Sequence, residues 1–308
     1  MNRPGVRAQA LFVESDPGLF HELESRMSDA PWIQTRHGRF LDQVAEIERL
    51  IPTSPVFLYL DPYTVEGLEW AVLDRLFRKI DEGQSVEVLL NFNAESFVRR
   101  GLAALKMGVP IADAADDPDT DVPTGADATT SGRLDGIVGG DWWRPLLTAD
   151  SNYFDKITAV LAGFSDKLRS RFSRVCAHNI YALATDKRPK YALVFGSRHQ
   201  EALLLMNDAM VGSREMLAEG SEPEEAVLFD NRTEAIVPDR ARLTRLILEV
   251  AAARKPRIDV IEGVVRAWIG GWRRAEIRGE IETLLRSGRL RSATGKPRIN
   301  DEVEIWVP

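Results

Sequence analysis

Asp61-Pro62-Tyr63 follows directly on the apolar run Val56–Leu60. A carboxylate, a rigid Pro and an aromatic ring in that order can hold an amine or a base, because the carboxylate accepts its N–H groups and the ring stacks on it. The same step can also be a plain helix start. Glu14 closes a second apolar run, residues 10–13. An acidic residue at a strand end can take a pair of ribose hydroxyls, or it can stand as an ordinary exposed Glu. Asn91 and Asn93 follow a third run, residues 86–90, where they can line the same crevice or cap the next helix.

Other chemistries find little support. His37, His178 and His199 have no metal-ligand spacing with one another or with Cys176, so no metal site is expected. His21 sits beside acidic residues and reads as surface, and Trp142-Trp143-Arg144 reads as packing rather than as a base-stacking platform. No Ser-His-Asp series stands out, and no glycine-rich phosphate loop precedes Asp61. The single cysteine cannot close an internal disulfide, which points to a reduced, cytoplasmic compartment. No apolar run approaches the roughly 18 residues of a membrane span, and residues 1–9 lack the apolar core of a secretory signal.

These residues need elements to position them. Three apolar runs (10–13, 56–60 and 86–90) alternate with helical periodicity at Leu19, Phe20, Leu23 and Met27, then at Phe40, Leu41, Val44 and Ile47. Alternation of this kind predicts βαβ units and a parallel sheet, with 56–60 buried on both faces. Residues 113–135 are rich in Asp, Ala and Thr, and read as a structureless surface insertion. A long helix over 152–172 precedes two strands, 175–183 and 191–195, joined by a turn at 186–189 and expected to be antiparallel. Residues 221–238 are acidic and polar and read as a linker between a body, 1–220, and a tail, 239–308.

The net charge of −7 hides a division. From Arg240 to the C-terminus the chain carries 15 Lys and Arg against 9 Asp and Glu, so the rest is strongly acidic. Three helical stretches and two short strands around Gly295-Lys296-Pro297 make this tail a winged helix. Its third helix is expected to turn Arg273, Arg274 and Arg278 outward, with Lys296 and Arg298 at the hairpin tip. That surface suits the phosphates of DNA or RNA, although docking onto protein is the competing reading.

In this order the pieces resemble the three-Cys-motif partner protein family. The matching stretches are Leu11-Phe12-Val13-Glu14-Ser15-Asp16-Pro17, Leu60-Asp61-Pro62-Tyr63, Val88-Leu89-Leu90-Asn91-Phe92, Gly139 to Trp142, Tyr191-Ala192-Leu193-Val194-Phe195, and the helical segment from Ser197 to Met210. The resemblance spans about residues 11–210. It implies a Rossmann-like, class I methyltransferase-like fold, S-adenosylmethionine as cofactor, and a partner of radical-SAM type that bears the three cysteines. By this resemblance Asp61, Pro62 and Tyr63 would position the methyl acceptor, while Glu14 and Asn91 would contact the cofactor.

Two departures matter. Nine residues before the first run are too few for the strand, glycine loop and helix with which the family begins, which need about 25 residues. The fold therefore reads as N-terminally truncated, with either a gap beside strand 56–60 or strand 10–13 moved to pair directly with it, and adenosylmethionine binding by this chain alone is expected to be weak or absent. Thr64 stands where a Gly often follows the Asp-Pro-aromatic step. The functional expectation is a methyltransferase-like protein acting with its partner; the alternative is a catalytically inert nucleic-acid-binding or adaptor protein that uses the tail.

Overall fold

The computed structural model describes residues 9–62, 68–107, 128–180, 191–220 and 239–308, without side chains at 128–129 and 216–220. Tyr63, Thr64, the expected turn at 186–189, the expected linker at 221–238 and most of the expected insertion lie outside the described residues. The chain forms two compact units, Met1–Val56 with Gly67–Val86, and Phe57–Glu66 with Glu87–Pro308.

In the first unit, β1 (Ala10–Glu14) and β2 (Ile33–His37) pair in parallel, connected through α1 (Pro17–Met27). Asp16 caps this helix by accepting from the Leu19 N–H at 2.9 Å. Pro17 occupies the first turn, where its missing N–H costs nothing. Two further helices, α2 (Phe40–Leu50) and α3 (Trp70–Arg78), bury Val44, Ile47, Leu73, Leu76 and Phe77. Arg75 and Glu48 join them at 2.7 Å.

The second unit holds a four-stranded sheet in the order β3 (Val56–Leu60), β4 (Val86–Phe92), β6 (Tyr191–Ser197), β5 (Arg174–Ile180). Both β4 with β6 and β5 with β6 run antiparallel, the latter as the sequence predicts. The expected single parallel core of three strands is not what forms. β1 pairs with β2 in a separate two-stranded sheet, and β3 is the edge strand of its own. Nor is β3 buried on both faces: Leu58 and Leu60 are buried, whereas Phe57 and Tyr59 are 50% and 56% exposed. An apolar run does not distinguish burial on two faces from burial on one, because covering the second face depends on elements remote in sequence.

One face of this sheet packs on α4 (Ala94–Ala104) and α7 (Tyr153–Arg169). Phe92 stacks on Phe164 at 4.3 Å between ring centres, and each fully buried ring contributes roughly 1.5–3 kcal/mol. Within the span 113–135 expected to be structureless, the described part is helical, because α5 (Ala128–Val138) begins there. Leu134, Ile137 and Val138 are buried from its face, and Asp135 accepts from Trp143 Nε1 at 2.9 Å and pairs with Arg144. Trp143 is fully buried in α6 (Trp143–Thr148), as its packing role requires.

The other face carries α8 (Gln200–Gly220), which runs two to three turns beyond the helix expected over 200–210. The C-terminal stretch packs there too. It consists of α9 (Arg240–Val250), α10 (Arg257–Ala267) and α11 (Arg274–Arg286), with an antiparallel sheet in the order β7 (Lys255–Pro256), β9 (Glu304–Trp306), β8 (Arg291–Ser292). The two-residue β7 was not anticipated; it is too short to have a period. Leu243, Ile247, Ile261, Val264, Ile277, Ile281, Leu284 and Ile305 form one continuous buried cluster with Leu193, Phe195, Leu203 and Leu204 of the sheet and α8. No helix among the described residues is long and apolar enough to cross a membrane.

Candidate functional site

The strand ends of β3 and β4 bring three polar side chains together. Side chains alternate faces along a strand, so Phe57, Tyr59 and Asp61 share the exposed side of β3. Tyr59 Oη donates to Asp61 Oδ2 at 3.2 Å, and Asn91 Nδ2 donates to Asp61 Oδ1 at 2.7 Å. The Asp61 carboxylate is thus held by two donors that both come from the sheet, while the residue stays exposed. A carboxylate has about four lone-pair positions, so roughly half its accepting capacity is still open.

The 2.7 Å bond also fixes the orientation of Asn91. Turning the amide over would set its oxygen against the carboxylate. Asn91 Oδ1 is therefore directed elsewhere, and it is a buried acceptor without a hydrogen-bond partner among the described residues. Such a group costs about 1–3 kcal/mol until a donor reaches it. Burial raises the Tyr59 hydroxyl to about 12, aided by the charge and hydrogen bond of Asp61, so this group stays a protonated donor. Tyr191, at the start of β6, is raised for the same reasons, burial first and the Asp61 charge second.

Of the residues singled out in the sequence, Asp61 and Asn91 meet, with Pro62 directly following, while Tyr63 lies outside the described residues. Asn93 takes the capping role, accepting from the Ser96 N–H at 2.8 Å at the start of α4. Glu14 belongs to the first unit, and its Oε1 accepts from the Asp16 N–H at 2.8 Å. Tyr59 was missed because it sits inside an apolar run; its spacing of two from Asp61 was the available signal.

The tail arginines are not the free outward cations expected of them. Arg273 pairs with Glu215 of α8, Arg274 with Glu201 at 2.7 Å and Asp301 at 3.1 Å, and Arg278 with Asp301. Of the five basic tail residues singled out in the sequence, Lys296 and Arg298 are the two that remain exposed without a carboxylate partner among the described residues. Asp301 also accepts from Arg257 at 2.9 Å. Burial works to raise its carboxyl, but the hydrogen bonds and charges of Arg278 and Arg257 outweigh that and hold it below the usual value. A cavity of about 280 Å³ lies in the tail, between Arg240, Leu243, Trp272 and Glu276. Beside it Glu280 is already satisfied by Arg240 at 2.7 Å and Thr244 at 2.6 Å, leaving it little to offer a ligand.

The donors of Tyr59 and Asn91 are spent on Asp61, and the capacity left open there is that of an accepting carboxylate. It suits an ammonium or an amide N–H, and it disfavours the carboxylate that adenosylmethionine also carries. The described site therefore does not fit that cofactor as a whole. Compared with known proteins, the chain matches no family model, no curated protein and no solved structure.

Proposed function

We propose that this is a methyltransferase-like binding protein that presents an N–H-bearing molecule, an amine or a nucleobase amino group, at the ends of β3 and β4. The observation that carries this reading is the Asp61 carboxylate, fixed by Asn91 at 2.7 Å and Tyr59 at 3.2 Å while still exposed. A preset acceptor loses little entropy when its ligand arrives.

In this reading Asp61 and Asn91 bind and orient the acceptor molecule, and the exposed rings of Tyr59 and Phe57 give its flat or apolar part a surface. The methyl-transfer chemistry is supplied by adenosylmethionine on a partner of the three-cysteine, radical-SAM type that the sequence resemblance implies. The tail is read as a winged helix whose third helix is turned toward α8.

Calorimetric titration with adenosine, butylammonium and adenosylmethionine tests the assignment. Asp61→Asn is expected to weaken whichever N–H probe binds by roughly tenfold, the low end for a charged hydrogen bond because the group is exposed. Adenosylmethionine is expected to bind no more tightly than the other amines. A dissociation constant near a micromolar for adenosylmethionine, about 8 kcal/mol, shows that this chain holds the cofactor itself and overturns the reading.

A further inference from the structure

The basic charge of the tail divides into two groups with different fates. On α11 and just before it, Arg273, Arg274 and Arg278 are spent on Glu215, Glu201 and Asp301. From Arg286 to Asn300 the chain carries five basic residues and no acidic one. Arg286 pairs with Glu282 at 3.1 Å, one turn earlier on α11. Arg289, Arg291, Lys296 and Arg298 are all exposed, and they have no carboxylate partner among the described residues. A hairpin holds them. Arg291 lies opposite Trp306, Ser292 opposite Ile305, and Ser292 Oγ donates to the Lys296 carbonyl at 2.8 Å, which closes the tip. Gly288 and Gly295 turn the chain there with φ of +74° and +69°, a region that favours glycine.

We infer that this end of the molecule, the last turn of α11 with the β8–β9 hairpin, binds the phosphate backbone of duplex nucleic acid. It goes beyond the ligand site at Asp61 and does not depend on it. Three of the four unpaired cations are arginines, whose planar forks match phosphate oxygens two at a time. Thr294 is exposed among them and adds a hydroxyl. An anionic membrane is the weaker fit. The large apolar residue next to Arg291, Leu290, is 2% exposed, and the tip from 293 to 297 carries no large apolar side chain to insert. With no base-reading element on the basic face, the binding is independent of sequence.

Fluorescence anisotropy of the full chain with a short duplex DNA of mixed sequence reads the proposal directly. Four neutralised phosphates predict a log–log salt slope of about −3.6. Changing Arg289, Arg291, Lys296 and Arg298 to Ala is expected to flatten the slope to about −1 or less and to weaken binding at least thirtyfold at about 50 mM salt. A control with Arg26, Arg39, Arg49 and Arg78 changed to Ala removes the same charge from exposed positions in the first unit, and is expected to bind as the parent does. Hydrogen exchange on the unaltered chain gives a second measure, with slowing over 287–298 when DNA is added. No binding by the parent, equal loss in the control, or equal affinity for phosphatidylserine vesicles overturns the inference.

Discussion

Tyr59 and Asp61 are coupled closely enough to be read by titration. Burial raises the Tyr59 hydroxyl first, and Asp61 adds its charge and a 3.2 Å hydrogen bond. Asp61→Asn removes the charge and leaves the burial. One tyrosine is then expected to ionise below its parent value of about 12 yet still above 10, as followed by phenolate absorbance. An unchanged titration would show that the pair is not formed in solution. Asp61 and Asn91 were legible in the sequence because each ends an apolar run, and polar residues at strand ends converge. Tyr59 was hidden inside such a run. The arginines were legible as charge and misleading as surface, since Glu215 and Glu201 lie 58 and 73 residues from the arginines they neutralise. Local periodicity carries no information about a partner that distant.

Two elements meet around Asn207 of α8, which is fully buried. Its Nδ2 donates to the Trp272 carbonyl at 2.8 Å, and its Oδ1 accepts from the Gly270 N–H at 2.9 Å, so one side chain satisfies both edges of the turn before α11. Asn207→Ala leaves two buried backbone groups unpaired and is expected to cost about 2–4 kcal/mol, measured as a lower urea midpoint at unchanged slope. Beneath the same turn, β5 places His178, whose ring lies about 3.5 Å from where a side chain on Gly270 would start. Burial lowers the His178 pKa, a hydrogen bond with the Ile269 backbone opposes this, and the Arg214 charge lowers it further. The unfolded chain then takes up the proton first, so stability present above pH 6.5 is lost as pH falls below it. Between about pH 7 and pH 5 the parent is expected to lose stability more steeply than His178→Gln; parallel losses would mean the ring does not titrate there. Most helices were readable from their apolar spacing and caps, Asp16 and Asn93 among them. The start of α5 was not, because its Ala and Thr residues mimic a disordered segment and its order comes from tertiary burial of Leu134, Ile137 and Val138.

Within the second unit, the tail and the sheet share one buried cluster running from Phe195 and Leu203 to Ile261 and Ile281. Hydrogen exchange should therefore find the protected amides of β6 and α10 opening with the same free energy; a tail that opens several kcal/mol more easily would be a separate folding unit. That the chain is an α/β protein was legible from alternating apolar periods. The alternative that strand 10–13 pairs directly with 56–60 does not hold, since β1 pairs with β2 and lies in a different sheet from β3; strand partners are chosen by contacts between remote segments. The proposed function turns on the Asp61–Asn91 pair, and the most direct measurement is the ¹⁵N side-chain amide signal of Asn91 during titration with adenosine or butylammonium. The account predicts a saturable shift in the parent, about tenfold weaker in Asp61→Asn, with adenosylmethionine binding no more tightly than either amine. No shift with either amine, or a shift of equal affinity without the Asp61 carboxylate, would contradict it.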